Sequence, residues 1–428
     1  MRRAAARTAA ALSVLFLVVY GTCNWITAHR TGVGTWYFAW ERRIPFVPAM
    51  IVPYMSIDAF FVAAPFLCRD RTELRVFARR VTVAILVAGA CFLAMPLRFA
   101  FERPAVSGWL GTVFSAFRSL DQPFNLFPSL HITLRTLLAA LYARHTRALW
   151  RAAGHVWFSL IGLSTVLTYQ HHVVDVAGGF VLAALVFYWV REAPVRSPVV
   201  PNRRIAWYYS FGAVASVGLA AAAWPWGGVF LWPAVALGTV AAAYVGVGPG
   251  IFRKTDGQLP LSARLVLGPC LIGQWLSLVY YRRQGRPWDQ VVPGVLIGGR
   301  LTTREATRAV EQGVTAVLDL TVEFGEAQPF RGLIYRNVPI LDLTAPTPAQ
   351  LDEAVRFITE QAPGGLVYVH CKIGYSRSAA VVGAYLLASG HARTADEAVT
   401  ILRRARPSIV VRPEAYAALR EFAMAGAG

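Results

Sequence analysis

Apolar runs of about 20 residues recur through the first half of the chain, and they limit its possible folds more than any other feature. A run of that length suits a helix that crosses the hydrocarbon core of a bilayer. Hydrophobic residues make up 56% of the chain and charged residues 15%, which argues against disorder and against a single soluble domain. We expect membrane spans at residues 8–28, 46–67, 81–97, 129–143, 154–170, 173–190, 206–224 and 226–248.

Arginines between these runs indicate the orientation of the spans. The N-terminus and segments 69–80, 144–151 and 191–204 hold fifteen arginines, whereas segments 29–45 and 98–130 hold six. Because cytoplasmic loops are rich in basic residues, we expect the first set in the cytoplasm of a bacterial cell, with the protein in its plasma membrane. The net charge of +19 therefore belongs mainly to loops beside spans, and no nucleic-acid partner is expected.

A change of pattern divides the second half of the chain. The apolar run 265–281 has basic residues on both sides, which is typical of a helix at the membrane interface. A ninth span there would instead place everything after it outside. From about residue 285 the chain alternates between strand and helix patterns, which predicts a mainly parallel sheet flanked by helices. We expect strands at 295–299, 314–320, 334–340 and 366–370, and helices at 302–312, 348–361, 377–389, 394–404 and 413–424.

The segment from His370 to Ser378 joins a predicted strand to a predicted helix. Within it, five residues separate Cys371 from Arg377, a spacing that is typical of a phosphate-binding turn. Backbone N–H groups and a helix N-terminus at such a turn lower the pKa of Cys371 and cradle a phosphate. Arg377 can hold two phosphate oxygens with its planar guanidinium, and Ser378 can donate to the sulfur when it leaves. Gly374 permits the tight turn. We expect the remaining phosphate contacts from Lys372, Ile373, Gly374, Tyr375 and Ser376.

A general acid must protonate the leaving oxygen in this chemistry, and Asp342 is our candidate. It heads a loop after a predicted strand and precedes Cys371 by 29 residues. Asp319 and Glu323 are weaker candidates because they lie further back in the chain. We expect His370 to form hydrogen bonds behind the loop, and the mechanism requires no metal or other cofactor.

These residues resemble the dual-specificity branch of the protein tyrosine phosphatase superfamily, over about residues 288–424. Within it, the runs Val367–Lys372, Ser376–Ala379, Asp396–Val399 and Val411–Pro413 are similar to the mitochondrial members that act on phosphatidylglycerophosphate. The resemblance assigns the general acid to Asp342. Tyr375 departs from those lipid-directed members and is more similar to members directed at phosphoproteins.

Three polar segments interrupt the apolar half, and the expected topology places all three at one face of the membrane. Arg98 and Arg103 lie in the first, Ser129 and His131 in the second, and the pair His171-His172 with Asp175 in the third. His171 and Asp175 are four residues apart, so we expect them on one helix face, with the carboxylate orienting a nucleophilic histidine. His131 can act as the general acid, while Ser129, Arg98 and Arg103 can bind a phosphate.

These segments resemble the type 2 phosphatidic acid phosphatase superfamily, over about residues 45–190. Arg103-Pro104, Pro128-Ser129-Leu130-His131 and His171-x3-Asp175 match its three motifs. Pro96 and Ser164-Thr165 stand where that family has two phosphate-binding cations. The doubled histidine and the Phe127-Pro128-Ser129 run are more similar to the inositol phosphorylceramide synthase branch, which transfers phospho-headgroups.

The sequence therefore predicts a multi-pass α-helical membrane domain followed by a soluble α/β domain. We expect six spans of the phosphatidic acid phosphatase type in 1–192, two further spans and an interfacial helix in 193–284, and a cytoplasmic dual-specificity phosphatase in 285–428. The expected activity is cysteine-dependent hydrolysis of a phospholipid phosphomonoester, with membrane lipids as partners. A phosphoprotein phosphatase and a phosphate-binding sensor are the alternatives, and the oligomeric state stays open.

Overall fold

The computed structural model describes residues 1–120, 122–192, 198–224, 226–283 and 285–426. It consists of two compact units, Met1–Pro194 and Val195–Gly428. The domain boundaries that we expect at residues 193 and 284 lie outside the described residues, and the three-domain division stays a prediction.

The first unit is helical, and its longest buried seam runs along the third helix. There Val81, Ala84, Ile85 and Ala88 are fully buried against neighbouring helices. The helices are α1 Arg2–Ala28, α2 Ile51–Leu67, α3 Arg71–Ala94, α4 Gly108–Leu120, α5 Leu130–His145, α6 Ala148–Leu167 and α7 Val173–Trp189.

Helix α3 begins ten residues before the span predicted at 81–97, so segment 71–80 is helix rather than loop. Asp70 explains this start, because its side chain accepts hydrogen bonds from the backbone N–H groups of Thr72 and Glu73. The arginines of this segment therefore lie on a helix that continues into the apolar run.

Among the described residues, five helical segments are long and apolar enough to cross a membrane, and the protein is a membrane protein. They are Arg2–Ala28, Pro48–Leu67, Arg71–Ala94, Arg203–Ala222 and Trp226–Val247. The runs predicted at 129–143, 154–170 and 173–190 also form helices, but α5 and α7 have only 16 and 17 residues.

The second unit begins with a helical hairpin. Helix α8 (Arg203–Ala222) packs against α9 (Leu231–Ala242), and the shorter helices α10 (Leu261–Val266) and α11 (Gly268–Arg282) follow. Asn202 caps α8, since its side-chain oxygen accepts from the backbone N–H of Ile205 at 3.2 Å. The backbone N–H of Asn202 also donates to Tyr244 O at 3.0 Å, so the hairpin's two ends are joined.

The described residues after 285 form one five-stranded sheet in the order β1-β2-β5-β3-β4. Strand β1, which the sequence did not predict, is antiparallel to β2, and the other neighbouring strands are parallel. The predicted mainly parallel sheet is confirmed. The strands are β1 Trp288–Val292, β2 Val295–Gly298, β3 Val314–Asp319, β4 Ile334–Asn337 and β5 Leu366–His370.

Helices cover both faces of this sheet. Alternation along β5 sends Val367 and Val369 into one apolar core and Tyr368 into another. Because β5 lies at the centre of the sheet, its carboxyl end delivers Cys371 to the middle of one sheet edge, where α/β proteins bind ligands. The helices are α12 Thr303–Glu311, α13 Pro348–Gln361, α14 Arg377–Ala388, α15 Ala395–Ala405 and α16 Pro413–Gly426.

Candidate functional sites

The turn between β5 and α14 surrounds the Cys371 sulfur with hydrogen-bond donors. The backbone N–H of Gly374 donates to Cys371 Sγ at 3.3 Å, and Ser378 Oγ lies 3.5 Å from the sulfur. Gly374 has φ +82°, and a Cβ there would come within 2.5 Å of the Gly298 backbone. Only glycine fits this turn, because the chain takes a left-handed conformation against a neighbouring strand.

The charge around Cys371 favours the thiolate. Burial raises the pKa of this thiol, but the Arg377 guanidinium, the Ser378 hydroxyl and nearby backbone N–H groups bring it below its ordinary value. A thiolate is the form of cysteine that attacks phosphorus, so the surroundings of the sulfur suit a nucleophile.

Arg406 supports the catalytic turn from the side opposite the sulfur, a role that no sequence pattern predicted. Its guanidinium donates to Gly374 O at 3.1 Å and to Ile373 O at 3.1 Å. A third contact joins it to the Asp289 carboxylate at 2.7 Å. Because the buried Arg406 guanidinium binds these carbonyls on one side of the turn, the backbone N–H of Gly374 is directed to the other side, toward Cys371 Sγ.

The Arg377 guanidinium forms ion pairs with two acidic side chains. Glu323 binds it through both carboxylate oxygens, at 2.6 and 3.2 Å, and Asp342 Oδ1 lies 3.3 Å from Nη2. Glu323 is thus a fixed partner of the arginine. The side chain of Asp342 keeps 20% of its surface exposed, compared with 2% for Glu323, so Asp342 is the more accessible carboxyl group.

Lys372 joins the acid loop to the helices of the same unit. Its ammonium nitrogen donates to Asp342 Oδ2 at 2.7 Å and to Gln274 Oε1 on α11 at 2.9 Å. Burial raises the pKa of Asp342, but Arg377 and Lys372 together hold it below its ordinary value. In this resting arrangement Asp342 is therefore a carboxylate.

A buried ionic cluster lies behind the cysteine. The Lys254 ammonium bonds Asp319, and His370 Nε2 bonds Glu326 at 2.8 Å while His370 Nδ1 lies 3.3 Å from Cys371 O. Asp319, Glu326 and His370 are close enough to share a metal ion, yet each is engaged by a side chain of the cluster. Asp319 thus pairs with Lys254, and His370 lies behind the loop as expected.

The polar segments of the first unit also approach one another. His171 Nδ1 lies 3.8 Å from Asp175 Oδ2, and the His131 ring stacks on Tyr54 with centroids 4.2 Å apart. Both histidines border one cavity, which is otherwise mainly apolar and also contains Asp58. His131 Nε2 and His171 Nδ1 are buried without a hydrogen-bond partner, and His171 Nδ1 is the ring nitrogen on the side of Asp175.

The expectation that His171 and Asp175 share a helix face is wrong. Helix α7 begins at Val173, and His171 lies before it. Asp175 Oδ2 accepts from the backbone N–H of His172 at 2.8 Å, which caps the helix start. His171 approaches the carboxylate from the irregular segment before α7, not from the preceding helical turn.

Both ring nitrogens of His172 form hydrogen bonds within the protein. Its Nδ1 bonds the buried Glu41 carboxylate at 3.0 Å, and its Nε2 accepts from the backbone N–H of Ala100 at 3.1 Å. Glu41 also accepts from the backbone N–H of Val173. Of the doubled pair, His171 lines the cavity and His172 does not.

The three residues of this unit that we expect to bind phosphate differ from one another in burial and in their contacts. Ser129 is fully buried and caps α5 by accepting from Ile132 N at 3.3 Å. Arg103 Nε donates to Tyr169 O at 3.0 Å, which holds it two residues from His171. The Arg98 side chain is exposed.

Comparison with known proteins matches the two regions of the chain that hold these residues. Residues 299–425 match the dual specificity phosphatase catalytic domain, and residues 46–189 match the PAP2 superfamily. The rat protein named phosphatidylglycerophosphatase and protein-tyrosine phosphatase 1 is 31% identical over 176 residues, which cover 37% of this chain and 89% of the rat protein. The chain belongs to the dual-specificity phosphatase family. It is therefore a phosphatase of the protein tyrosine phosphatase superfamily that also carries a PAP2 domain.

Two further relatives of this dual-specificity phosphatase differ in the substrates that their names state. The Arabidopsis thaliana phosphatidylglycerophosphate phosphatase PTPMT2 is 29% identical over 168 residues, which cover 37% of this chain and 72% of that protein. Mouse dual specificity protein phosphatase 12 is 36% identical over 126 residues, which cover 28% of this chain and 37% of that protein. The resemblance to both families is confirmed, whereas the inositol phosphorylceramide synthase branch stays a prediction.

Proposed function

We propose that this phosphatase hydrolyses a phosphomonoester on a phospholipid headgroup, such as phosphatidylglycerophosphate, at the cytoplasmic face of a bacterial plasma membrane. The observation that carries the lipid assignment is the bond between Lys372 and Gln274 of α11, which lies in one compact unit with the span-length helices of residues 203–247. Because α11 packs against α9 of that pair, we expect a catalytic turn bonded to α11 to lie near lipid headgroups. The relatives named for phosphatidylglycerophosphate support the same substrate class.

The chemistry proceeds in two steps. The Cys371 thiolate attacks phosphorus, the bond to the leaving oxygen breaks, and Asp342 gives that oxygen a proton. Arg377 and the turn's N–H groups hold the phosphoryl oxygens. Water then attacks the phosphocysteine, Asp342 takes its proton, and the thiolate leaves while Ser378 donates to the sulfur.

Substrate binding prepares Asp342 for the first step. In the resting arrangement its carboxylate is paired with Lys372 and Arg377. A phosphate group that enters the turn competes for both cations. Because Asp342 then loses their stabilisation and faces a second negative charge, its pKa rises and it can carry the proton that the leaving oxygen needs.

The full chain in phospholipid vesicles provides the test. Phosphate release is measured from phosphatidylglycerophosphate, from a phosphoinositide and from phosphotyrosine and phosphoserine peptides at matched concentrations. We expect preference for a lipid. A preference for peptides would replace the lipid assignment with a protein phosphatase, and binding without turnover would support the phosphate sensor.

Lys372 controls the alkaline side of the pH profile in this mechanism. Lys372→Met removes a cation that stabilises the Asp342 carboxylate, so the pKa of Asp342 rises and the acid stays protonated to higher pH. We expect the alkaline limb of kcat/KM to move to higher pH. Lys372→Arg keeps the charge and serves as the control. An unmoved limb in Lys372→Met would show that Asp342 does not set it.

A second activity is supported by the cavity in the first unit. His131 and His171 line it, and Asp175 lies beside His171. We propose that His171 attacks the phosphorus of a lipid phosphate ester and that His131 protonates the leaving oxygen. Water or an alcohol then attacks the phosphohistidine and gives its proton to His131 while the phosphorus–nitrogen bond breaks. The result is hydrolysis with water and headgroup transfer with an alcohol.

This second activity is measurable after the first has been removed. In a Cys371→Ser chain, we expect residual lipid phosphate release or headgroup transfer that falls to background on adding His171→Gln. His155→Gln is the control, because His155 is on α6 and does not line the cavity. Residual activity that survives His171→Gln would remove this site from consideration.

A further inference from the structure

The loop that carries Asp342 is held by two side chains that flank the helical hairpin, Asn202 before α8 and Tyr244 after α9. The Tyr244 hydroxyl donates to the backbone carbonyl of Asp342 at 2.8 Å. The Asn202 side-chain amide donates to the next carbonyl, that of Leu343, at 2.8 Å. Two successive carbonyls of the acid loop are therefore bonded to residues from opposite ends of the hairpin.

The acid loop has a conformation that needs such support. Leu343 has φ +60°, which is a left-handed conformation that a leucine side chain disfavours. The backbone persists in such a conformation only where its surroundings impose it. The hairpin contributes to this restraint as one piece, because Asn202 N–H also bonds Tyr244 O.

Further contacts extend from the hairpin to the catalytic turn. The Tyr209 ring on α8 stacks on Tyr244, with centroids 5.7 Å apart, and the Tyr209 hydroxyl lies 3.3 Å from Gln274 Nε2. The same Gln274 accepts from Lys372, which bonds Asp342. The acid is thus restrained through its backbone by the hairpin and through its carboxylate by a lysine that α11 holds.

We infer that the α8–α9 hairpin completes the phosphatase active site, with Asn202 and Tyr244 as positioning residues for the general-acid loop. This inference rests on the proposed function, because it assumes that Asp342 delivers the proton to the leaving oxygen. It adds that proton delivery depends on residues outside the 299–425 region that matches the phosphatase family.

Two variants remove the bonds and little else. Tyr244→Phe deletes only the hydroxyl. Asn202→Ser removes the amide donor but keeps an oxygen that can cap α8. Tyr208→Phe is the matched control, because Tyr208 is exposed and its hydroxyl accepts from Arg204 on the same helix.

The readout is how kcat/KM of the full chain depends on the leaving group. It is measured with substituted phenyl phosphates of increasing leaving-group pKa, and with an alkyl phosphomonoester as the poorest leaving group. A mispositioned acid slows poor leaving groups most, because good ones depart without a proton. We expect each variant to lose about 2- to 12-fold with the alkyl ester, the range for one lost hydrogen bond, and little with the best phenyl ester.

The results of this experiment test the role of the hairpin separately from the proposed function. A steeper leaving-group dependence in both variants, with Tyr208→Phe unchanged, supports the inference. Equal losses across the series, or no loss, would overturn it and leave the proposed function intact. A wild-type chain that is inactive on every phosphomonoester would overturn the proposed function and this inference together.

Discussion

Cys371→Ser is expected to abolish phosphate release from the favoured lipid in the full chain containing a second inactivating change, His171→Gln. The loss should exceed about 10⁴-fold, the scale on which removal of a covalent nucleophile acts. The physical reason is that the serine hydroxyl stays protonated at neutral pH, whereas the surroundings of Cys371 lower the pKa of its thiol. Initial rates of phosphate release from vesicles measure the effect.

Cys91→Ser in the same background is the matched control, since Cys91 lies on α3 in the first unit. It should keep the starting rate. Lipid should still bind to the Cys371→Ser chain, because Arg377 and the N–H groups of the turn remain in place. Retained turnover in Cys371→Ser would contradict the phosphocysteine mechanism.

Asp342→Asn should give the second large effect, a loss of about 10²- to 10⁴-fold in kcat/KM for an alkyl phosphate ester. The asparagine side chain is similar in size and can face Arg377 and Lys372, but its amide is too weak an acid to protonate the leaving oxygen. Because phenyl esters with electron-withdrawing substituents leave without protonation, they should lose much less. The measurement is kcat/KM for both ester types.

Asp352→Asn is the control for this substitution, because Asp352 is exposed on α13. Its activity should equal that of the unmodified chain. The alkaline limb of the pH profile should also disappear in Asp342→Asn, since the group that must stay protonated is gone. If alkyl and activated phenyl esters lost activity equally, Asp342 would not be the general acid.

Local patterns predicted the elements of the phosphatase domain because each is defined by neighbouring residues. Helix α13 has its predicted bounds of 348–361, since Thr347 caps it and Gln350 completes the capping box. The turn from Cys371 to Arg377 was predictable for the same reason, as its glycine, donors and helix start are consecutive. Strand β1 was missed because its sequence, Trp288-Asp289-Gln290-Val291-Val292, does not alternate apolar and polar residues.

Contacts between residues far apart in the sequence could not be predicted. Arg406, Lys254 and Gln274 each lie more than 30 residues from the partner that they hold at the catalytic turn or in the cluster behind it. Each of these residues taken alone has an ordinary polar or basic side chain near an apolar run. Their roles follow from how the hairpin and the sheet pack, which local periodicity does not encode.

The paired histidines show the same limit in the first unit. Spacing alone placed His171 and Asp175 on one helix, but the helix begins only at Val173. The deciding residue is Glu41, 131 positions before His172, whose buried carboxylate fixes the second histidine of the pair. The two site residues still approach to 3.8 Å, so their proximity was predicted for the wrong geometric reason.

The most direct test of the central proposal is to trap the covalent intermediate. The full chain, as wild type and as Asp342→Asn, is mixed with phosphatidylglycerophosphate, quenched within milliseconds and analysed by peptide mass spectrometry. We expect one phosphate on the peptide containing Cys371 in the wild-type chain, and much slower labelling in Asp342→Asn, because this alkyl leaving group needs the proton of Asp342. A chain that turns over this lipid but carries phosphate only on His171, or on no residue, would contradict the proposal.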